Sequence, residues 1–450
     1  MISETTRKSI HILMAGFALA LRFLPWWAAA LLAAVAVVSN ATWIPRLGGG
    51  ALMRSGEEKS LLHSGVWLYS LSILILILIF RHRLEVVAAA WGILAFGDGA
   101  ATLAGRGLGG PRLTWNRSKS WSGSLAFLLM GTAGGAALMG WVAEGTGRPW
   151  TWGSALVVCG CATLGAAGVE SLSLQLNDNV SVPLVAAGLV YSLQAVDPAV
   201  WDAASGELRQ NLLVGLGVNV IFALAARTLG AVSWSGVAGG LVVGVTIATF
   251  GGLPAFGVLA FFFLLGSAAT RLGYSKKHAR GIAQEKKGAR GAVHALANCS
   301  VAAYLAFLGG SVPIEFAAPL WLAFVASLAT AACDTLGSEI GPLAGGEPFL
   351  ITRLRRVPAG TPGAVSLLGT VSGVLAALMI GGVAYALRLI PGGWIAVVPT
   401  AALFGTLFES FLGATAEPRG LVDSETINFL NTLAGALAAL ALLRVGVSAA

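Results

Sequence analysis

Two sets of acidic residues interrupt an apolar sequence, and each set has the composition of a phosphate-handling site. The first set begins with Asp98 in GDGAATLAGR and reaches Glu170 after 72 positions. The second begins with Asp334 in CDTLGSEIG and reaches Glu409 after 75 positions. Acids inside apolar segments are costly and are therefore candidates for function. Carboxylates hold Mg²⁺, which also binds phosphate oxygens, so we predict phosphoryl transfer with these four acids as catalytic candidates.

More acids extend both sets. Asp178 and Asp423 stand at the start of the last apolar segment after each Glu, and Glu339 follows Asp334 by five positions. Because magnesium prefers oxygen ligands, these carboxylates join the two aspartates as metal candidates. The predicted metal ligands are Asp98, Asp178, Asp334, Glu339 and Asp423.

Basic, amide and glycine residues flank the acids, and we predict that they contact nucleotide phosphates. Cationic side chains neutralise phosphate charge, and backbone N–H groups next to glycine can approach it closely. No G-x-x-x-x-G-K-[ST] or H-E-x-x-H motif is present, so soluble NTPase folds and zincins are not supported. The nucleotide-binding candidates are His11, Arg106, Arg117, Lys119, Gly123, Ser124, Arg290, Asn298, Arg353, Gly363, Ser366, Asn428 and Asn431.

The elements that must position these residues are membrane-spanning helices. The chain is 56% hydrophobic and 11% charged, whereas soluble domains carry about 25% charged residues. Its 60 glycines fit close helix packing in lipid. The four cysteines form no C-x-x-C pair, which argues against a zinc or redox motif. We therefore predict an all-α polytopic integral membrane protein embedded in the lipid bilayer.

Apolar runs of about 20 residues are long enough to cross the ~30 Å hydrocarbon core, and about fifteen such runs can be identified. The predicted spans are 9–25, 26–45, 62–80, 86–104, 123–143, 152–169, 180–196, 211–231, 236–251, 253–270, 291–309, 313–333, 364–388, 393–412 and 427–448.

Lysine and arginine residues predict the orientation of these spans. They concentrate in the loops after spans two, four, ten and twelve, which all lie on one side, and Arg81 with Arg83 is the exception. The positive-inside rule makes that side cytoplasmic, with the N-terminus inside and the C-terminus outside. The segment from Asp197 to Arg209 reads as an acidic outer loop. Because the net charge of +8 sits in short loops between spans, no nucleic-acid partner is expected. We expect a multi-pass protein of a prokaryotic cytoplasmic membrane.

The matching order of the two acid sets predicts a duplicated domain. Seven spans per copy would invert the second copy, and one connecting helix restores its orientation. We predict two parallel repeats, at 1–205 and 236–450, joined by a connector helix within 206–235. Chance similarity between glycine-rich apolar segments is the alternative.

The first half resembles the phytol kinase and dolichol kinase family of CTP-dependent membrane lipid kinases. The similar segments are RKSIH, GDGAATLAGR, KSWSGSLA and VESLSLQLNDNVSVPL. The family pattern has Lys-x-Trp-Glu-Gly, and Ser122 replaces that Glu here. Asn177 likewise stands where a second Asp is expected.

The second half resembles the membrane family called domain of unknown function 92, which includes plant phytyl-phosphate kinase. The similar segments are GARGAVHALANCS, CDTLGSEIG, PGAVSLLGT, FESFLGAT and INFLNTLAG. The two resemblances imply CTP as donor, Mg²⁺ as cofactor and ancestry shared with phosphatidate cytidylyltransferases. They also imply that an isoprenoid alcohol is converted to an isoprenyl phosphate and then to the diphosphate.

Two other functions are compatible with the same residues. A lipid-phosphate transporter could also contain parallel repeats and inward-facing acids, although carriers place polar residues near the bilayer midplane. A cytidylyltransferase making a CDP-lipid could use the same metal and CTP site. The products separate the last two: a kinase releases CDP, and a cytidylyltransferase releases pyrophosphate.

Overall fold

The computed structural model describes residues 4–43, 65–114, 116–171, 177–272, 289–344, 346–358 and 360–448. Within these ranges, ten helices are long and apolar enough to cross a membrane, and three shorter helices are also apolar. The chain is therefore a helical integral membrane protein, as its composition predicts. The number of spans and the repeat stay predictions, and the basic residues between Lys276 and Lys287 lie outside the described ranges.

The chain divides into two compact units, Met1–Ala195 and Val196–Ala450. The helix that overlaps the predicted connector, Pro198–Thr228, belongs to the second unit. The predicted assignment of separate activities to separate domains stays a prediction.

The described residues of the first unit form eight α-helices. A 3-10 helix, Ala15–Arg22, continues the first of them, and a π-helical turn, Ile93–Asp98, joins the fourth to the fifth. Single π turns inside helices often occur at functional sites, and this one ends on a candidate acid. The helices are α1 Glu4–Met14, α2 Trp26–Thr42, α3 Gly65–Ile79, α4 Leu84–Gly92, α5 Gly99–Gly107, α6 Trp121–Gly145, α7 Trp152–Ser171 and α8 Asp178–Leu193.

In the second unit, the part of the chain that the structure describes forms seven α-helices and a small antiparallel sheet of order β2-β1-β3. The helices are α9 Pro198–Thr228, α10 Trp234–Arg271, α11 Ala292–Gly309, α12 Ile314–Ile340, α13 Leu367–Ala386, α14 Val397–Thr415 and α15 Ser424–Ser448. The strands are β1 Phe349–Leu350, β2 Arg355–Arg356 and β3 Ala364–Val365.

Asp98 and Asp334 each lie on the most buried candidate span of their unit among the described helices. Leu84–Gly107 carries Asp98, and Ile314–Leu343 carries Asp334. Small side chains let neighbouring helices approach closely in a membrane bundle, which fits the alanine-rich sequence before each acid. The core of each unit therefore fixes the position of its acid.

Two predicted boundaries differ from the structure. The segment Asp197–Arg209 is not a loop, because α9 begins at Pro198 and the Asp197 side chain caps it by accepting the Ala199 N–H. The first half of this helix is polar, so hydropathy did not identify it as part of a helix. The predicted spans 236–251 and 253–270 form one kinked helix, α10, which bends at Gly252. Gly252 has a φ of 64°, which glycine adopts readily, and Pro254 lacks a backbone donor there.

Candidate functional site

The first unit places Asp98 beneath the N-terminal helix α1. Lys8 Nζ forms a hydrogen-bonded ion pair with Asp98 Oδ2. His11 lies one turn later, with its Nε2 3.6 Å from the same oxygen. A side chain at Gly99 would come within 2.5 Å of Ile12, so glycine lets α1 pack directly over the acid. The structure thus brings together His11 and Asp98, both predicted, and adds Lys8.

Lys119 forms the second charged group of this unit. It lies in the segment before α6 and pairs with Glu170 at the end of α7. Its Nζ also lies 3.3 Å from Asp178 Oδ2 at the start of α8. Burial disfavours the Lys119 ammonium, but the carboxylates of Glu170 and Asp178 outweigh it and raise the pKa of Lys119. Lys119 also interacts electrostatically with Asp98, so the two charged groups belong to one site.

A capped helix start positions this lysine. Ser120 caps α6 by accepting the Gly123 N–H at 3.2 Å. Ser122, the residue that departs from the family pattern, donates a hydrogen bond to the Gly109 carbonyl. A glutamate carboxylate could not donate there. Asn116 donates to the Ser171 carbonyl at 3.1 Å and ties the segment to the end of α7.

The other predicted residues of the first unit lie around this site. Arg106 and Arg117 are exposed, and Ser124 is half-buried on α6. Gly123 is buried, and a Cβ there would lie 2.9 Å from the Ala101 carbonyl oxygen. Because glycine has no side chain, α5 and α6 can pack closely at this position.

The second unit holds Asp334 and Glu409 in one cavity of about 290 Å³. The walls come from the end of α12, the small sheet with its loops, the start of α13 and the end of α14. Ser366 caps α13 by accepting the Gly369 N–H at 3.1 Å. Gly363 has a φ of 73°, and a Cβ there would lie 2.3 Å from the Ser410 carbonyl. Only glycine allows this loop to pack against α14.

Helices α6 and α13, which follow Asp98 and Asp334 along the chain, begin with the same cap and the same close glycine contact in both units. In each, a serine caps the helix after the acid and accepts the N–H three positions later: Ser120 with Gly123, and Ser366 with Gly369. A Cβ on Gly123 would lie 2.9 Å from the Ala101 carbonyl oxygen, and a Cβ on Gly369 would lie 2.7 Å from the Gly337 carbonyl oxygen. Each of these carbonyls lies three residues after the aspartate of its unit. A duplication predicts such matching offsets.

The acids of the second unit differ in their partners. Among the described residues, no lysine or arginine forms an ion pair with Asp334 or Glu409. His294 interacts electrostatically with Asp334, and its Nδ1 lies 3.6 Å from Glu425 Oε1. Glu409 accepts a hydrogen bond from Ser410 Oγ at 3.2 Å.

His294, Glu425 and Lys8 are site residues that the sequence analysis did not assign. One signal could have found His294: the spacing of Arg290 and His294 repeats that of Arg7 and His11. No local signal connects Lys8 to an acid 90 positions away.

The remaining predicted residues of the second unit lie outside the lining of the Asp334 cavity. Asp423 is exposed, and its Oδ1 accepts the Thr426 N–H at 2.8 Å, which is a helix cap. Glu339 is buried on α12. Arg353 is exposed, Asn428 is half-buried, and Asn431 is buried beside Gly405. Arg290 and Asn298 line a separate cavity.

Magnesium fits the two sites differently. Within the described ranges, no three His, Cys, Asp or Glu side chains are arranged to hold a metal ion. Mg²⁺ commonly uses only one or two carboxylates together with waters and substrate phosphates. Asp334 and Glu409 provide such a pair. In the first unit, Lys8 and Lys119 already occupy the positions next to Asp98 and Glu170, so that arrangement does not fit a metal ion.

Residues 217–436 match the family described as integral membrane protein DUF92. An uncharacterized membrane protein of Synechocystis sp. is 39% identical over 204 residues, which cover 44% of this chain and 78% of that protein. Protein VTE6, chloroplastic, of Arabidopsis thaliana is 32% identical over 55% of this chain and 73% of that protein.

Phytol kinase 1, chloroplastic, of Arabidopsis thaliana is 29% identical over 136 residues, which cover 30% of this chain and 44% of that protein. No solved structure matches the chain. Identities of 39% and 32%, over more than two thirds of two relatives, show that the chain belongs to the integral membrane DUF92 family.

Proposed function

We propose that the protein is an isoprenoid kinase that phosphorylates an isoprenoid alcohol and then the resulting isoprenyl phosphate, with CTP as donor, at the cytoplasmic membrane face. The observation that carries the proposal is the cavity of the second unit. There, Asp334 and Glu409 face a capped helix start at Ser366 and a glycine loop. Carboxylates that could hold Mg²⁺–nucleotide, beside backbone that can approach phosphate, suit phosphoryl transfer. A relative named as a phytol kinase supports the substrate class.

The first unit suits the alcohol step. An alcohol oxygen must lose its proton as it attacks the terminal phosphorus atom of the donor. A new O–P bond forms, the bond between that phosphorus and the bridging oxygen breaks, and CDP leaves. Asp98 lies beside His11, so the proton has an acceptor. Lys8 and Lys119 can neutralise the transferred phosphoryl charge.

The second unit suits the monophosphate step. The attacking oxygen of an isoprenyl phosphate is already anionic, so that step requires screening of charge more than removal of a proton. Asp334 and Glu409 would hold the Mg²⁺ that supplies this screening. Both acids remain available because neither is paired with a lysine or arginine among the described residues.

Purified full-length protein, given CTP labelled on its terminal phosphate, tests the proposal. With geranylgeraniol and Mg²⁺ we expect labelled monophosphate and then diphosphate. Asp98→Asn should block use of the alcohol but not of added geranylgeranyl phosphate, and Asp334→Asn should cause monophosphate to accumulate. Removing a charged contact made only in the transition state lowers the rate about 100- to 1,000-fold. Asp197→Asn, which retains its helix cap, is the matched control.

The products also test the alternatives. Release of pyrophosphate with formation of a CDP-lipid would replace the kinase proposal by cytidylyl transfer. Transport of isoprenyl phosphate into vesicles without any turnover would favour a carrier. If either single Asn variant abolishes both steps in a folded protein, the two-site mechanism is wrong.

A further inference from the structure

The second unit contains another cavity, which the mechanism above does not use. It is partly open and lies between α9, α10 and the start of α11. Phe222, Phe256, Phe262 and Phe263 form much of its wall. The polar side chains in the wall belong mainly to Arg290, His294 and Asn298, spaced four residues apart along one segment. The cavity is therefore apolar along its walls and polar along one edge.

Arg290 is held in place at this edge by its backbone. Its N–H donates to the Ala231 carbonyl, and its carbonyl accepts the Ser233 N–H, both at 3.0 Å. Its guanidinium lies 6.0 Å from the centre of the Phe262 ring and 5.8 Å from that of Phe263. These contacts aim a rigidly held cation into the cavity.

No carboxylate pairs directly with the Arg290 guanidinium. Among the described residues, none lies within ion-pair distance of it. Burial lowers the pKa of Arg290, and the Glu339 carboxylate, which interacts with it electrostatically, offsets only part of that effect. A buried charge without a hydrogen-bonded counter-ion is costly, and an anionic ligand in direct contact would reduce that cost.

Glycine creates the space that the guanidinium occupies. A Cβ on Gly266 would lie 2.7 Å from Arg290 Nη2. The contact is with the end of a flexible side chain, so alanine at position 266 would move the guanidinium without disturbing the backbone. This position offers a way to displace the charge without removing it.

His294 connects this cavity to the acids of the proposed active site. It lines the same wall as Arg290 and interacts electrostatically with Asp334. A phosphate bound by Arg290 would therefore lie on the side of the cavity that faces Asp334.

We propose that this cavity binds the isoprenyl monophosphate, with its hydrocarbon chain along the phenylalanine walls and its phosphate on Arg290. The inference deepens the proposed function and rests on it. The occupant follows from charge and shape, because one fixed cation at the edge of an aromatic, apolar cavity complements a single-chain lipid with an anionic head. Arg290, a nucleotide candidate in the sequence analysis, would instead orient the attacking phosphate.

Equilibrium binding of tritiated geranylgeranyl phosphate to the full chain in detergent micelles, without nucleotide or Mg²⁺, tests the head-group contact. Arg290→Gln should weaken binding about 10- to 100-fold, as expected for loss of a hydrogen-bonded charge pair. The same variant should change the affinity for geranylgeraniol less than about 3-fold, because the alcohol lacks the phosphate that Arg290 is proposed to contact. Gly266→Ala should act like Arg290→Gln. Gly382→Ala, a helical glycine with no atom within 4 Å of the added methyl, is its matched control.

Chain length tests the apolar walls. Ala223 lines the cavity on α9, whereas Ala225 is exposed two residues later on the same helix. Ala223→Leu should weaken binding of the 20-carbon chain more than that of geranyl phosphate, because it fills part of the cavity. Ala225→Leu should leave both affinities unchanged.

Several outcomes would overturn the inference. Equal losses for the phosphate and the alcohol in Arg290→Gln, or no loss in either, would remove Arg290 from the head-group site. Tighter binding of phosphatidic acid or inorganic phosphate than of geranylgeranyl phosphate would assign the cavity to another anion. Binding as described without any turnover in the wild-type protein would refute the proposed function alone. Normal binding and turnover in Arg290→Gln would refute this inference alone.

Discussion

The contact between Lys119 and Glu170 gives the sharpest prediction about stability. The Glu170 side chain is 3% exposed and the Lys119 side chain 27%. Lys119→Met would leave the Glu170 carboxylate buried without its ammonium. Breaking a buried pair costs about 3–5 kcal/mol. Because Lys119 is partly solvated, solvent screening reduces the cost of breaking this pair. We therefore expect Lys119→Met to lower the free energy of unfolding by about 2–3 kcal/mol.

A double-mutant cycle separates the pair from other effects of the substitution. Glu170→Gln alone leaves Lys119 with Asp178, so we expect it to cost only about 1 kcal/mol. The double variant removes the uncompensated charge, so it should be more stable than the sum of the two losses implies. The coupling should be about 1–3 kcal/mol. Arg117→Met, at an exposed position two residues from Lys119, is the control and should lie within about 0.5 kcal/mol of the wild-type protein.

Unfolding by SDS in mixed micelles, followed by labelling of the Cys159 thiol, provides the assay. Cys159 is buried in the first unit, and Cys161 is exposed and would be replaced by alanine in every variant. A loss below about 1 kcal/mol for Lys119→Met, or full additivity in the cycle, would mean that the pair contributes no more than a surface salt bridge. The proposal that buried ion pairs hold the charged side chains of the first site in place would then be wrong.

Three further predictions test other parts of the structure. Gly363→Ala should cost about 2–4 kcal/mol, because it combines a side chain at positive φ with a steric clash. Gly147→Ala has a similar φ of 68° but no nearby atom and should cost about 1–2 kcal/mol. SDS unfolding followed at the buried Cys333 for the second unit and at Cys159 for the first measures the two losses, and equal losses would contradict the tight packing of the Gly363 loop. Because the folded-state pKa of Lys119 is raised, the stability that this residue provides should be fully present below the ordinary lysine pKa of about 10.4 and lost as pH rises through the higher folded value. The stability difference between wild type and Lys119→Met should therefore be constant from about pH 7 to 9, and a decline within that range would contradict the raised pKa. A membrane-impermeant thiol reagent added outside intact cells should label a cysteine at Ala204 and not one at Leu354, and the reverse would invert the predicted orientation.

The sequence was sufficient for the class of the fold and for the general position of the acids. Hydropathy identifies long apolar helices because membrane crossing imposes their length, and acids within them stand out. The same reasoning failed where a helix begins with polar residues, as α9 does at Pro198. It also divided α10 at Gly252, because glycine and proline signal a break and leave open whether the helix resumes.

Partners of the acids could not be predicted because they depend on packing between distant helices. Lys8 meets Asp98 only because α1 packs over Gly99. Helical periodicity relates residues three or four positions apart, and nothing in it relates positions 8 and 98. Asp423 shows the converse problem, because an acid at the start of a helix has the same sequence signature whether it caps the helix or binds a ligand.

The charges of the two sites argue for different roles within one proposed reaction sequence. The first unit combines three acids, Asp98, Glu170 and Asp178, with two lysines that pair with them. A phosphoryl group entering this site meets cations that are already present. In the second unit, Asp334 and Glu409 have no lysine or arginine partner among the described residues, so a nucleotide phosphate entering their cavity would be repelled unless a divalent cation accompanied it. A neutral alcohol needs a base and a cationic surface, and an anionic isoprenyl phosphate needs a bridging cation. The difference in charge between the units therefore follows the difference in charge between the two proposed acceptors.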